Sequence, residues 1–285
     1  MGMTINWFPG HMAKTRRQIQ ESLKLVDAVI EIRDARIVKS SANPQIDEIC
    51  KDKPRVILLN KSDLADDKVT KEWIKELTTD TIKLLAVNSI TGEGLKNIKP
   101  TLEELLKAKH DRQRNKGLVN IVIRVMVVGI PNVGKSSFIN KLAKNNIAKT
   151  GDRPGVTKSK QWIKTTLGIE LMDTPGVLWP KFEDEVVGLN LAFTGAIKDE
   201  IMDIEELALR LVERLQTINP QRLMERYKLS EIMENPIDNM DNIGRKRGAV
   251  ISGGNIDYNR IAVMLLDEFR GGKLGSISLE KVDQV

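Results

Sequence analysis

Along its first two thirds the chain alternates short apolar runs with segments in which apolar residues recur at helical spacing. Four runs, Val26 to Ile32, Pro54 to Leu59, Ile82 to Val87 and Ile121 to Val128, have the length and β-branched content of buried strands. Helices are predicted from Ala13 to Leu25, with Ile19 and Leu23 on one face, from Pro44 to Cys50, and from Lys68 to Leu77. A further helix is predicted from Leu95 to Ala108, where Leu95, Ile98, Leu102, Leu105 and Leu106 make one apolar stripe. Two more strands, Gln161 to Thr166 and Ile169 to Met172, flank the turn Leu167-Gly168. Strands alternating with helices predict an α/β domain with a mostly parallel sheet.

Beyond Trp179-Pro180 the pattern is helical. Ile204, Leu207, Ala208, Leu211, Val212 and Leu215 form an amphipathic stripe, Asn219-Pro220 opens another helix, and Asp257 caps a third that stops at Gly271-Gly272. The expected division is therefore an α/β domain over residues 1–178 and a small all-α domain over 179–285.

At 285 residues both parts are long enough to bury a core. One cysteine, Cys50, excludes an internal disulfide framework, and no apolar run approaches the ~18 residues of a membrane span. The opening residues lack the apolar core of a secretory signal, and Asn6 stands where a myristoylation signal wants Ser or Thr. A cytoplasmic setting is expected. The net charge of +6 divides unevenly, about +11 up to Leu178 and about −5 after it. A basic domain points to polyanions, RNA first, although charge alone names no partner. Residues 107–117 are read as a solvated basic connector, and 244–248 and 252–255 as polar, partly basic loops that are either plain surface or an RNA grip.

The chemistry centres on Gly129-Ile130-Pro131-Asn132-Val133-Gly134-Lys135-Ser136-Ser137, a G-x-x-x-x-G-K-S pattern between a strand and a helix. Backbone N–H groups at a helix N-terminus can wrap a polyphosphate, Lys135 can reach its terminal oxygens, and the Ser136 hydroxyl can ligate Mg²⁺. After the second strand comes Asn60-Lys61-Ser62-Asp63. The Asp63 carboxylate can accept from guanine N1–H and the N2 amino group, neither of which adenine offers; Asn60 would brace the loops and the Lys61 stem lie over the purine. Asn88 and Ser89 follow the next strand, with Ser89 and nearby N–H groups in reach of guanine O6. Gly151 to Thr157 reads as a switch segment in which Thr157 joins the Mg²⁺ shell. In Asp173-Thr174-Pro175-Gly176, Asp173 would hold Mg²⁺ through water and the Gly176 amide would sense the γ-phosphate.

Small GTPases ordinarily carry these motifs with the phosphate loop first. Here the guanine motifs precede it, so the order is circularly permuted, which a parallel sheet tolerates because each contact belongs to one loop at a strand's C-terminal end. With that order, Asn6-Trp7-Phe8-Pro9-Gly10-His11-Met12, Pro154 to Lys158 and Asp173 to Pro180, the whole chain resembles the circularly permuted GTPases of ribosome assembly, and within them bacterial ribosome-biogenesis GTPase A. The resemblance implies a circularly permuted P-loop GTPase domain followed by the helical domain. It also implies GTP hydrolysis coupled to late maturation of the large ribosomal subunit, with GTP/GDP and Mg²⁺ as ligands. The partners it implies are a large-subunit precursor and its rRNA, met by a monomer without DNA or membrane contacts. Ser137, where related loops often carry Thr, is one small departure.

Val177 occupies the position where many GTPases place a water-orienting glutamine, and valine cannot do that work. The resemblance suggests His11 as the substitute, and K⁺ held by Asn132 as in similar phosphate loops. Two rival readings are a guanine-nucleotide-binding scaffold with little hydrolysis, and a stand-alone GTP-dependent enzyme. The second lacks any further constellation for a small-molecule substrate.

Overall fold

A computed structural model describes residues 12–143, 162–174 and 184–284. In chain order the elements are α1 (Met12–Leu23), β1 (Ala28–Asp34), α2 (Pro44–Cys50), β2 (Arg55–Asn60), α3 (Asp67–Leu77), β3 (Ile82–Ala86), α4 (Ile98–Leu105), α5 (Lys107–Asn115), β4 (Arg124–Gly129), α6 (Lys135–Leu142), β5 (Trp162–Lys164) and β6 (Glu170–Asp173). Five helices follow: α7 (Glu185–Phe193), α8 (Ile204–Ile218), α9 (Pro220–Tyr227), α10 (Pro236–Arg247) and α11 (Tyr258–Arg270). Among the described residues, 184–279 form one compact unit; 12–174 together with 280–284 form the other.

The α/β unit carries one six-stranded sheet in the order β3-β2-β1-β4-β6-β5. All pairings are parallel except β5 with β6, so the expected α/β class with a mostly parallel sheet is what is found. Every residue of β1 and β2 is buried, as expected of central strands covered on both faces. The register places Val29, Glu31 and Arg33 of β1 on the same face as Arg55, Ile57 and Leu59 of β2 and Met126 and Val128 of β4. That face holds two apolar clusters. One joins Ile19, Leu23, Val29, Ile46, Cys50 and Met126; the other joins Val38, Ile57, Leu59, Val69, Trp73 and Leu84.

Charge lies on that face as well. Glu31, 1% exposed, accepts from Arg33 Nε at 2.6 Å and from Arg55 at 2.9 Å, and Asp47 of α2 pairs with both arginines. Burial pushes the nearby Cys50 thiol up to about 12, so it is a packing residue rather than a reactive one.

The stretch 107–117 is not a loop. The predicted helix from Leu95 breaks at Leu106 (φ −98°, ψ 5°) and resumes as α5, in which buried His110 is the anchor and Lys109 pairs with Asp27 at 2.5 Å. A run of charge hid this helix, since its one inward residue is polar.

In the helical unit α8 packs against α7, α9, α10 and α11 through Leu207, Ala208, Leu211, Val212 and Leu215. Asp257 caps α11 by accepting from Arg260 N at 3.0 Å, as its position predicted. Asn219 makes no side-chain cap; Pro220 opens α9 through its fixed φ. Residues 245–247, expected in a loop, form the last turn of α10, which Gly248 ends at φ +66°. Buried Glu268 accepts from Arg226 at 2.5 and 2.9 Å and from the Tyr227 hydroxyl at 3.0 Å. The Arg226 hydrogen bonds hold its carboxyl below the usual range against the opposing effect of burial. No helix among the described residues is long and apolar enough to cross a membrane.

Replacing Glu31 by Gln leaves two buried guanidiniums with only half-exposed Asp47 as countercharge. Breaking a buried pair in this way costs about 3 kcal/mol or more. The expected result is a clear fall in the chemical-denaturation midpoint with an unchanged slope.

Candidate nucleotide-binding site

The loops at the C-terminal ends of β4, β2 and β3 are joined by one side chain. Asn60 Nδ2 donates to the Val133 carbonyl of the phosphate loop at 2.7 Å, and Asn60 Oδ1 accepts from Ser89 N at 2.9 Å. Asn60 is 2% exposed, and its amide meets one partner with each end. This contact explains a glycine. Gly134 sits at φ +98°, and a Cβ there would run into Asn60 Nδ2. Gly129 is constrained too, since a Cβ would lie 2.5 Å from the Ile32 carbonyl of the neighbouring strand.

Within the phosphate loop Asn132 adopts φ +59°, a left-handed conformation that asparagine tolerates. Val133 is buried, while Ser136 and Ser137 stand in the first turn of α6. Lys135 Nζ donates to the Ile130 carbonyl at 2.8 Å, folding the ammonium over its own loop. Asp173 ends β6, and the next residue, Thr174, donates to the Val127 carbonyl at 2.6 Å, pinning this end of β6 to β4. Burial raises the Asp173 carboxyl and the Lys135 charge opposes that rise, so the two groups act on one another.

In the base-side loops, Ser62 N donates to the Val87 carbonyl at 3.2 Å, and Asp63 lies exposed in a short 3₁₀ turn from Ser62 to Leu64. Asn88 Oδ1 accepts from Ile90 N and Thr91 N at 2.8 and 3.0 Å, closing the third loop. The Ser89 amide is committed to Asn60, whereas its hydroxyl is buried with no hydrogen-bond partner. Such an orphan suits a loop built to meet a polar ligand.

Lys61 is at φ +58°, uncommon for a non-glycine residue, and its ammonium lies 3.0 Å from the Asp34 carboxylate at the end of β1. Arg36 grips the same carboxylate through Nε at 2.9 Å, a terminal nitrogen at 2.8 Å and its backbone N at 3.1 Å. Burial opposes the charge on Asp34, but Arg36 and Lys61 outweigh it and hold the carboxyl well below the usual range. Sequence reasoning treated Asp34-Ala35-Arg36 as the close of a strand. The available signal was an acid and a base two residues apart at the same sheet edge as the other motifs. His11, Thr157, Gly176 and Val177 lie outside the described residues.

The profile of a family described as "50S ribosome-binding GTPase" matches residues 124–239. Ribosome biogenesis GTPase A of Bacillus licheniformis is 52% identical over 283 residues, 99% of this chain and all of the relative. The chain belongs to the ribosome biogenesis GTPase A family. A mitochondrial ribosome-associated GTPase 1 from Bos taurus is 34% identical, with 96% of this chain and 88% of the relative covered. The crystal structure of GNP-bound YlqF from T. maritima superposes with a TM-score of 0.65 at 27% identity, covering 94% of this chain and 98% of that one.

Family membership makes the chain a GTPase of the circularly permuted class and its ligand a guanine nucleotide. The donors present also suit Mg²⁺. Ser136 and Asp173 offer hard oxygens, and no cluster of three metal-ligating side chains occurs among the described residues. Mg²⁺ commonly takes one or two protein oxygens and completes its shell with phosphate and water.

Two outcomes follow. Asn60→Ala strands the buried Ser89 N–H and frees the phosphate loop; an unpaired buried donor costs about 1–3 kcal/mol, or about fivefold to 150-fold in GDP affinity by calorimetry. For Asp34 the folded pKa is depressed, so its ion pair stabilises fully above the unfolded value near 4 and is lost only as pH falls through the folded one. The stability gap between the parent and Asp34→Asn should therefore stay level from pH 8 to about pH 5 and close below about pH 4.

Proposed function

We propose that this GTPase is a switch for late assembly of the large ribosomal subunit, hydrolysing GTP to GDP and phosphate with stimulation by the particle. The observation that carries the nucleotide part is the Asn60 bridge, which supports reading three loops as one rigid cradle. The ribosomal part rests on the names of the relatives.

In this reading Asp63 reads guanine N1–H and the N2 amino group, the Lys61 stem covers the purine, and the Ser89 hydroxyl faces O6. N–H groups from Asn132 to Ser137 and the Lys135 ammonium hold the β- and γ-phosphates. Ser136, and Asp173 through water, would hold Mg²⁺, which would supply positive charge to the phosphate oxygens. Thr157 and the Gly176 amide report the γ-phosphate. Water attacks the γ-phosphorus as the bond to the β–γ bridging oxygen breaks, and GDP leaves.

Val177 cannot orient that water, so His11 takes the task when the chain docks on the particle, and Asn132 would hold a K⁺ that would add positive charge there. Basic residues of the helical unit, Arg245, Lys246 and Arg247 among them, meet rRNA. The chain acts as a cytoplasmic monomer without DNA or membrane partners.

GTP hydrolysis measured with and without purified large subunits, at high and low K⁺, tests this reading. Particles should raise turnover well above an intrinsic rate of about 10⁻⁴ s⁻¹, and His11→Ala should abolish the gain while leaving GTP affinity intact. Competition by ATP as strong as by GTP would overturn the base assignment. Absence of turnover under every condition would leave a guanine-nucleotide scaffold.

A further inference from the structure

The loop after β1, residues 34–41, holds Asp34 and Arg36 at its start and receives an anion at its end. Glu280, 9% exposed and some 240 positions along the chain, turns its carboxylate into this loop. Its oxygens accept from Lys39 N at 2.7 Å, from Ser40 N at 3.0 and 3.2 Å, and from the Ser40 hydroxyl. Trp73 Nε1 of α3 donates to the Glu280 carbonyl at 3.4 Å, and Val282 packs on the cluster containing Val38, Ile57 and Trp73. A buried carboxylate bound by two consecutive backbone N–H groups and a hydroxyl is a fixed anchor, because each of those donors would be stranded without it.

From this anchor a path through the short 34–41 backbone, its hydrogen bonds and an ion pair leads to the base loop. Next to Ser40, the Ser41 hydroxyl donates to the Ile37 carbonyl at 2.6 Å and accepts from Asp34 N at 3.1 Å. The Asp34 carboxylate is gripped by Arg36 and paired with Lys61. Lys61 is the residue at positive φ whose stem lies along the nucleotide's purine in the functional reading above. A left-handed lysine stays put only if its surroundings over-determine it. Asp34 does so directly, and the loop that presents Asp34 is closed by Glu280.

We propose that Glu280 is a positioning residue for guanine-nucleotide binding, acting through the 34–41 loop and Asp34 on Lys61. The inference rests on reading Asn60–Asp63 as the base-recognising loop. Leu279, the preceding residue, has its carbonyl held by Arg214 of α8 at 2.7 Å.

A double-mutant cycle on the full chain tests this, using GDP affinity and the ratio of GDP to ADP affinity for the parent, Glu280→Gln, Lys61→Ala and the double variant, with thermal unfolding in parallel. Glu280→Gln should weaken GDP about tenfold by faster release and should have little further effect once Lys61 is alanine. Ser40→Ala, which removes one donor and leaves both backbone bonds, should show the same coupling at smaller amplitude if the first substitution lowers stability too far. Equal losses in both backgrounds, or unchanged GDP release in folded Glu280→Gln, would overturn the assignment. A parent chain that binds ADP as well as GDP would instead defeat the base-loop reading itself.

Discussion

A single carboxamide holds the nucleotide site together. Asn60 stands at the end of β2 and spends its donor on the phosphate loop and its acceptor on the loop after β3. Both bonds are buried, where neither end of the amide has water as an alternative, so rotating the side chain would strand two backbone groups at once. Gly134 is glycine because that amide needs the room. The bridge joins loops 73 and 29 positions apart in the chain, and the sheet order fixes their strands without fixing the loops themselves.

The same sheet edge shows how charge can be buried beside a polyanion site. Asp34 binds Arg36 and Lys61, and Glu280 is met by two amides and a hydroxyl. Each carboxylate is matched to fixed donors, which keeps the loops in one arrangement. Farther along the strands the Glu31, Arg33 and Arg55 set follows the same rule. Acids and bases appear together wherever the sheet is charged inside, because an isolated buried charge is far costlier than a paired one.

A local feature could be read where local residues decide it. The strand runs, the stripe of α8, the cap at Asp257 and the loops after β2, β3 and β4 depend on residues a few positions apart, and they appeared within a few residues of where the pattern placed them. Where the deciding partner is distant, the pattern misled. Residues 107–115 and 245–247 look like solvated charge in sequence and are helical: His110 is buried, and Gly244, just ahead of the second run, lies close against Ile256 and Ile261. Asn219 looks like a side-chain cap and is not one, its neighbour Pro220 supplying the helical start by its fixed φ.

The sequence by itself determined the motifs and their order: a glycine-rich loop with Lys135 and Ser136 between strand and helix, the Asn60 to Asp63 loop ahead of it, and Asp173 after it. These are short motifs whose meaning lies in residue type and spacing. Tertiary structure alone decided how the pieces bear on each other, through Asn60 across 73 and 29 positions and Glu280 across 240. A hydrogen bond between groups so far apart leaves no periodic trace in the chain; the Asn60 bonds exist because the parallel strands β2, β3 and β4 end at the same edge of the sheet.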